Sequence, residues 1–263
     1  MGLLYGTGNA TRQEIAMMDE PVKIGSWHHP VPFADFIEMV TEALGEEGIR
    51  ILEEEYQLTH NDQRMFGAML ITPADDDSFL PGTKTDLILG MRGSHDKIVP
   101  RGLTVGTRVT VCSNLCFSGN MGTLQTRQTT NIMKRLPGMI REIIRRIRGL
   151  AEQNQLRIDQ YKNHNLGTSQ MGDALLVEML RQDVVNLQQF QTAIQEWVEP
   201  SFIEHQEEGQ YTAWNLFNAV TQSFKPTGAR EDNVYNHDAL NVRSGKLIQL
   251  LDDTTGLDLP KAA

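Results

Sequence analysis

Apolar and β-branched positions between Ile49 and Val111 fall into short runs, each bounded by Gly, Pro, Asn or Ser. Runs of about four to eight such residues mark strands. The clearest are Leu87–Met91 and Leu103–Val111. Ile49–Leu58 and Met65–Thr72 read as a hairpin reversed through Thr59-His60-Asn61-Asp62-Gln63, where Asn and Asp accept positive φ or cap their own backbone. The order predicts an antiparallel sheet of about four strands.

Flanking segments carry the helical period instead. Phe36, Ile37, Val40 and Leu44 share one face over Phe33–Leu44, after a rigid Trp27-His28-His29-Pro30 turn and before Gly45 and Gly48. Beyond the strands, Ile132, Leu136, Met139, Ile140, Ile143, Ile144 and Ile147 recur at three and four. That stripe predicts a long helix from about Pro137 to Asn163, packed on the sheet, with Pro137 in a first turn or at a kink. Gly167 and Gly172 separate it from a helix running from Asp173 to about Val198, closed by Pro200. Thr212–Phe224 and Ala239–Asp252 read as further helices around a Lys225–His237 loop. Met1–Lys23 has no strong period and reads as an arm packing on a neighbouring subunit. The expected organisation is an N-terminal arm (1–26), an α+β core (27–166) and a helical C-terminal region (167–263).

Composition narrows this picture. With 263 residues, 40% of them hydrophobic, the chain can bury one core, or a core plus a helical appendage. No window approaches the roughly twenty apolar residues of a membrane span, and no basic region followed by an apolar run opens the chain, so the expectation is a cytoplasmic protein with no membrane partner. Cys112 and Cys116 are then expected as reduced thiols. The net charge of −10 opposes nucleic-acid binding as a whole. Its distribution does not. Arg127, Lys134, Arg135, Arg141, Arg145, Arg146 and Arg148 stand against one acid, Glu142, which leaves +6 in that stretch and −16 elsewhere. Lys134, Arg141, Arg145 and Arg148 fall on a stripe away from the isoleucines, so one helix face packs and the other presents cations.

Two turns punctuate the strands: Gly93-Ser94-His95-Asp96 and, about fifteen residues on, Val111-Cys112-Ser113-Asn114. With them the chain resembles the phage and plasmid "domain of unknown function 932" family. Pro30–Phe66 is similar to that family's opening of helix, Gly, strand and His/Asn/Asp turn leading into Arg-Met-Phe-Gly, and Ala213–Thr221 (AWNLFNAVT) resembles its late aromatic segment. The likeness spans most of the chain. It implies no settled activity, but a phage origin would place the protein in the host cytoplasm. One departure stands out: Lys97-Ile98 follows His-Asp where the resemblance implies Gly-Ser.

Candidate chemistry is thin. Ser94, His95 and Asp96 hold the letters of a hydrolase triad, but consecutive residues cannot chain the required hydrogen bonds. A turn in which Ser94 and Asp96 satisfy backbone donors, with His95 packing or reaching the Cys112–Asn114 turn, is expected instead. Zinc at Cys112, Cys116 and His95 lacks a fourth ligand, adjacent His28 and His29 diverge, and Asp75–Asp77 lacks the alternation of a calcium loop. No Walker loop, paired carboxylates or dinucleotide fingerprint is present in the right context. No enzyme, metal or cofactor is therefore expected. The order of helix, hairpin, strands and long basic helix resembles the phage single-strand annealing recombinases (the Redβ, RecT and Erf types) and the eukaryotic Rad-group annealing ring. The leading expectation is an oligomeric, ring-forming phage-type protein that binds single-stranded DNA through the seven basic residues and assists annealing or recombination. The alternative is a structural or host-inhibiting protein working through protein contacts, its basic helix pairing with Glu46, Glu47 and Glu53–Glu55 of an adjacent subunit.

Overall fold

The computed structural model describes residues 3–4, 9–83, 85–109, 114–117, 123–202, 211–225 and 237–259. Its elements, in chain order, are β1 (Asn9–Ala10), α1 (Arg12–Ala16), α2 (Phe33–Glu46), β2 (Ile49–Thr59), β3 (Arg64–Pro73), β4 (Thr85–Ser94), β5 (Arg101–Val109), β6 (Asn114–Phe117), β7 (Thr123–Thr126), α3 (Ile132–Arg145), α4 (Ile147–Asn163), α5 (Ser169–Arg181), α6 (Leu187–Val198), α7 (Ala213–Ser223) and α8 (His237–Thr255).

The chain is mixed α and β around an antiparallel sheet that is wider than the expected four strands. Six positions run β1-β2-β3-β4-β5-β6. The seventh strand, β7, shares the last position: β6 pairs with Gly106–Val109 of β5 and β7 with Arg101–Thr104. The β2–β3 turn uses three successive left-handed residues, His60, Asn61 and Asp62 (φ 55°, 52° and 61°), of which Asn and Asp tolerate that region best. Strand alternation puts Met65, Gly67 and Met69 of β3, Leu89, Met91 and Gly93 of β4, and Arg101, Leu103 and Val105 of β5 on one face. Phe33 and Phe36 of α2 lie on that face against Arg101. Nine of the ten β3 residues are buried, so the central strands are covered on both faces.

Two expectations about the helices change. The segment expected as one helix to Asn163 is two. Arg146 N–H donates to Ile143 O at 3.1 Å, a tightened last turn, and α4 starts afresh at Ile147. Pro137 lies inside α3, whose Ile132, Leu136, Ile140, Ile143 and Ile144 are buried. The expected Asp173–Val198 helix is likewise α5 and α6. Asp183 turns the chain at φ 57°, and Asn186 opens α6 in a capping box with Gln189. Finally, the N-terminal arm docks on its own chain: Leu3, Leu4 and Ile15 are buried, β1 pairs with β2, and Arg12 meets Glu54 at 2.6 Å.

The helical layer takes in α4 as well as α5–α8. Arg157 and Tyr161 of α4 converge on Asp252 of α8 at 3.0 and 2.6 Å, Tyr161 tilts against Phe217 of α7, and α7 and α8 pack against β6. No helix among the described residues is long and apolar enough to cross a membrane.

Candidate nucleic-acid interface

The seven basic residues expected to form one surface divide into three paired with acids, three exposed ones, and Arg146, which stands apart. Arg141 grips Glu46 with two hydrogen bonds, Nε at 2.7 Å and NH2 at 3.1 Å. Arg145 meets Glu47 at 3.1 Å and Arg148 meets Asp75 at 3.6 Å. These acids belong to the end of α2 and the β3–β4 loop of the same chain, so the pairing of Glu46 and Glu47 expected between subunits is made within one. The mutual bond holds the Glu46 carboxyl below its ordinary range and raises Arg141. Arg146 is half-buried at the α3–α4 junction. Arg127, Lys134 and Arg135, at and before the start of α3, are exposed and make no ion pair with a described residue. Arg135 instead donates to Thr129 Oγ1 at 3.3 Å.

Next to these three cations the surface opens into a cleft of about 640 Å³. Its walls are the Trp27–His28 turn, the Lys97–Pro100 part of the β4–β5 loop, and Gln125–Thr129, where the chain leaves β7 for α3. Lys97 and Arg127 line it, and the described lining residues include no carboxylate. Gln128 clasps the three walls together. Its side-chain oxygen accepts from Val31 N–H at 2.8 Å, its amide donates to Ser94 O at 2.5 Å, and its backbone oxygen accepts from His29 N–H at 3.0 Å.

Lys97 is held at φ 67°, a left-handed backbone that favours glycine. The departure noted in the sequence therefore places a cation on a turn that still uses the conformation a glycine would supply, at a strain of about 1 kcal/mol or more. Ser94 and Asp96 hold this turn. Ser94 Oγ accepts from Val99 N–H at 2.9 Å, Asp96 Oδ1 accepts from Ile98 N–H at 3.0 Å, and Asp96 Oδ2 accepts from Arg64 Nε at 2.8 Å. Burial pushes the Asp96 carboxyl up, but the bonds from Ser94, Ile98 and Arg64 outweigh it and keep it below the usual range.

His95 stacks on Phe33, ring centres 3.8 Å apart, and its Nε2 lies 3.2 Å from Val31 O. It therefore turns toward the segment before α2. Burial, then the charge of Arg101, lowers its pKa to about 4, so the ring is neutral and donates to that carbonyl. Arg101 bonds the same oxygen and is fully buried over Phe33 and Phe36, its pKa lowered by burial to about 9. Its guanidinium occupies the space that a Cβ on Gly93 would take. Cys112 lies outside the described residues, and Asn114 is described only as the first residue of β6.

No family model matches the chain, and no curated protein or solved structure matches it.

His28, like Trp27 and Gln128, was not singled out as a site residue by sequence. It is buried against the cleft, and its Nδ1 accepts from Ile24 N–H at 3.0 Å. That bond assigns the ring proton to Nε2, which is buried without a partner. Burial, then the charges of Lys97 and His29, pushes its pKa down. Among the described residues, no group of three or more His, Cys, Asp or Glu side chains is arranged to hold a metal. The cleft offers cations and an exposed indole, a set that suits an anion bearing a flat ring.

Proposed function

We propose that the protein binds single-stranded DNA on the surface running from this cleft across the start of α3, and that it does so as a phage-type homo-oligomer, ring-forming, in annealing or recombination. The observation that carries the reading is the division of the basic residues: Lys97, Arg127, Lys134 and Arg135 make no ion pair with a described residue, whereas Arg141, Arg145 and Arg148 are paired in-chain. Because the chain carries −10 overall, a phosphate backbone is attracted only where cations gather without acids. Trp27 at the mouth is 80% exposed. An exposed indole beside cations suits unstacked bases, whereas duplex DNA keeps its bases paired and presents only groove edges. The reading is of a binding protein without a catalytic step.

Fluorescence anisotropy with a labelled oligothymidylate and with a duplex of the same length tests it, alongside the rate at which complementary strands pair. Preference for the single strand and faster pairing are expected. If neither nucleic acid binds at low salt, the protein-contact reading takes its place. Trp27 and Ile98, 80% and 66% exposed at the cleft, would then be its contact residues.

A further inference from the structure

Phosphates alone need no cleft, since a row of exposed cations holds them equally well. This one is about 640 Å³, within the roughly 300–1,000 Å³ of small-molecule sites. Its apolar wall is supplied by Trp27, although the other two tryptophans, Trp197 and Trp214, are buried. A cation fits badly here, with Lys97 and Arg127 in the lining and no carboxylate among the described lining residues. A ligand that suits these groups brings a negative charge and a flat ring together.

We infer that the cleft takes one nucleotide turned out of a bound single strand. Its base lies against Trp27, and its phosphate is neutralised by Lys97 and Arg127. This rests on the single-strand reading above and adds a base-dependent subsite to a backbone-dependent surface. Every base has a stacking face, so the subsite prefers a base over no base more than one base over another.

The test compares an oligothymidylate of about fifteen nucleotides, a length at the upper end of single-strand sites, with an abasic tetrahydrofuran strand of equal length. The wild-type protein is expected to bind the base-bearing strand about tenfold more tightly, since stacking one base is worth roughly that factor or more. Tryptophan fluorescence should change with the base-bearing strand only. Trp27→Ala, at an exposed side chain, should abolish the fluorescence change and bring both strands to the abasic affinity. Equal affinities for the two strands, with no fluorescence change, would overturn the nucleotide subsite and leave the single-strand reading standing. Failure of both strands to bind at low salt would overturn both.

Discussion

Acidification should destabilise this protein through one identifiable ring. His95 is 5% exposed, stacks on Phe33 at 3.8 Å and gives its Nε2 proton to Val31 O, while Arg101, a buried cation, approaches the same carbonyl. Burial and that neighbouring charge lower the ring's pKa from 6.5 to about 4. Between those values the unfolded chain takes a proton that the folded chain refuses. Stability present above pH 6.5 is therefore lost as pH falls towards 4, at up to about 1.4 kcal/mol per pH unit and about 3 kcal/mol in all. Asp96, held below the usual carboxylate range, adds a loss of the same sign at still lower pH. Urea unfolding at several values between pH 7 and 4.5, for wild type and His95→Gln, isolates the term. Glutamine retains a donor for Val31 O and does not titrate, so the variant should show a flatter dependence over this range. An identical slope in the two proteins would refute the assignment to His95.

Other perturbations test the packing around the site. Gly93→Ala puts a methyl 2.4 Å from Arg101 NH1 and should lower stability by about 1–3 kcal/mol in denaturant melts. Asp252→Ala removes the acceptor shared by Arg157 and Tyr161 and should cost about 3–5 kcal/mol, read in the same melts. Glu46→Gln frees Arg141 from its in-chain partner, so single-strand affinity should rise slightly at low salt and the gain should disappear as salt is added. Sedimentation should find an oligomer if the ring-forming proposal holds, and a monomer at every concentration would remove it.

The four long strands were legible because β-branched runs ended at turn residues, and their bounds moved by only a few positions. β1, β6 and β7 were not, since strands of two, four and four residues carry too little period to stand out. The break at Arg146 escaped notice because Ile143, Ile144 and Ile147 continue the helical stripe across it. The break before α6 did leave a signal: Asn186 followed three residues later by Gln189 is a capping box. The basic stripe could be counted in sequence, but its partners lie far along the chain, Glu46 ninety-five residues before Arg141. The cleft draws on three segments joined by Gln128, a contact that no local spacing encodes. Lys97 stood out as a departure from a motif, yet its left-handed backbone and its position in the cleft appear only in three dimensions.

The central claim is that single-stranded DNA is held by the cations at the cleft and the start of α3, not by the paired arginines. The salt dependence of oligothymidylate affinity tests it most directly, with wild type beside Lys97→Glu/Arg127→Glu and Arg141→Glu/Arg145→Glu. Each phosphate neutralised on a single strand adds about −0.7 to the slope of log K against log salt. The account predicts a slope shallower by about 1.4 in the cleft variant, for two lost contacts, and a nearly unchanged slope in the helix variant. A slope that flattens only in the helix variant would contradict it and move the strand onto the face that Glu46 and Glu47 now occupy.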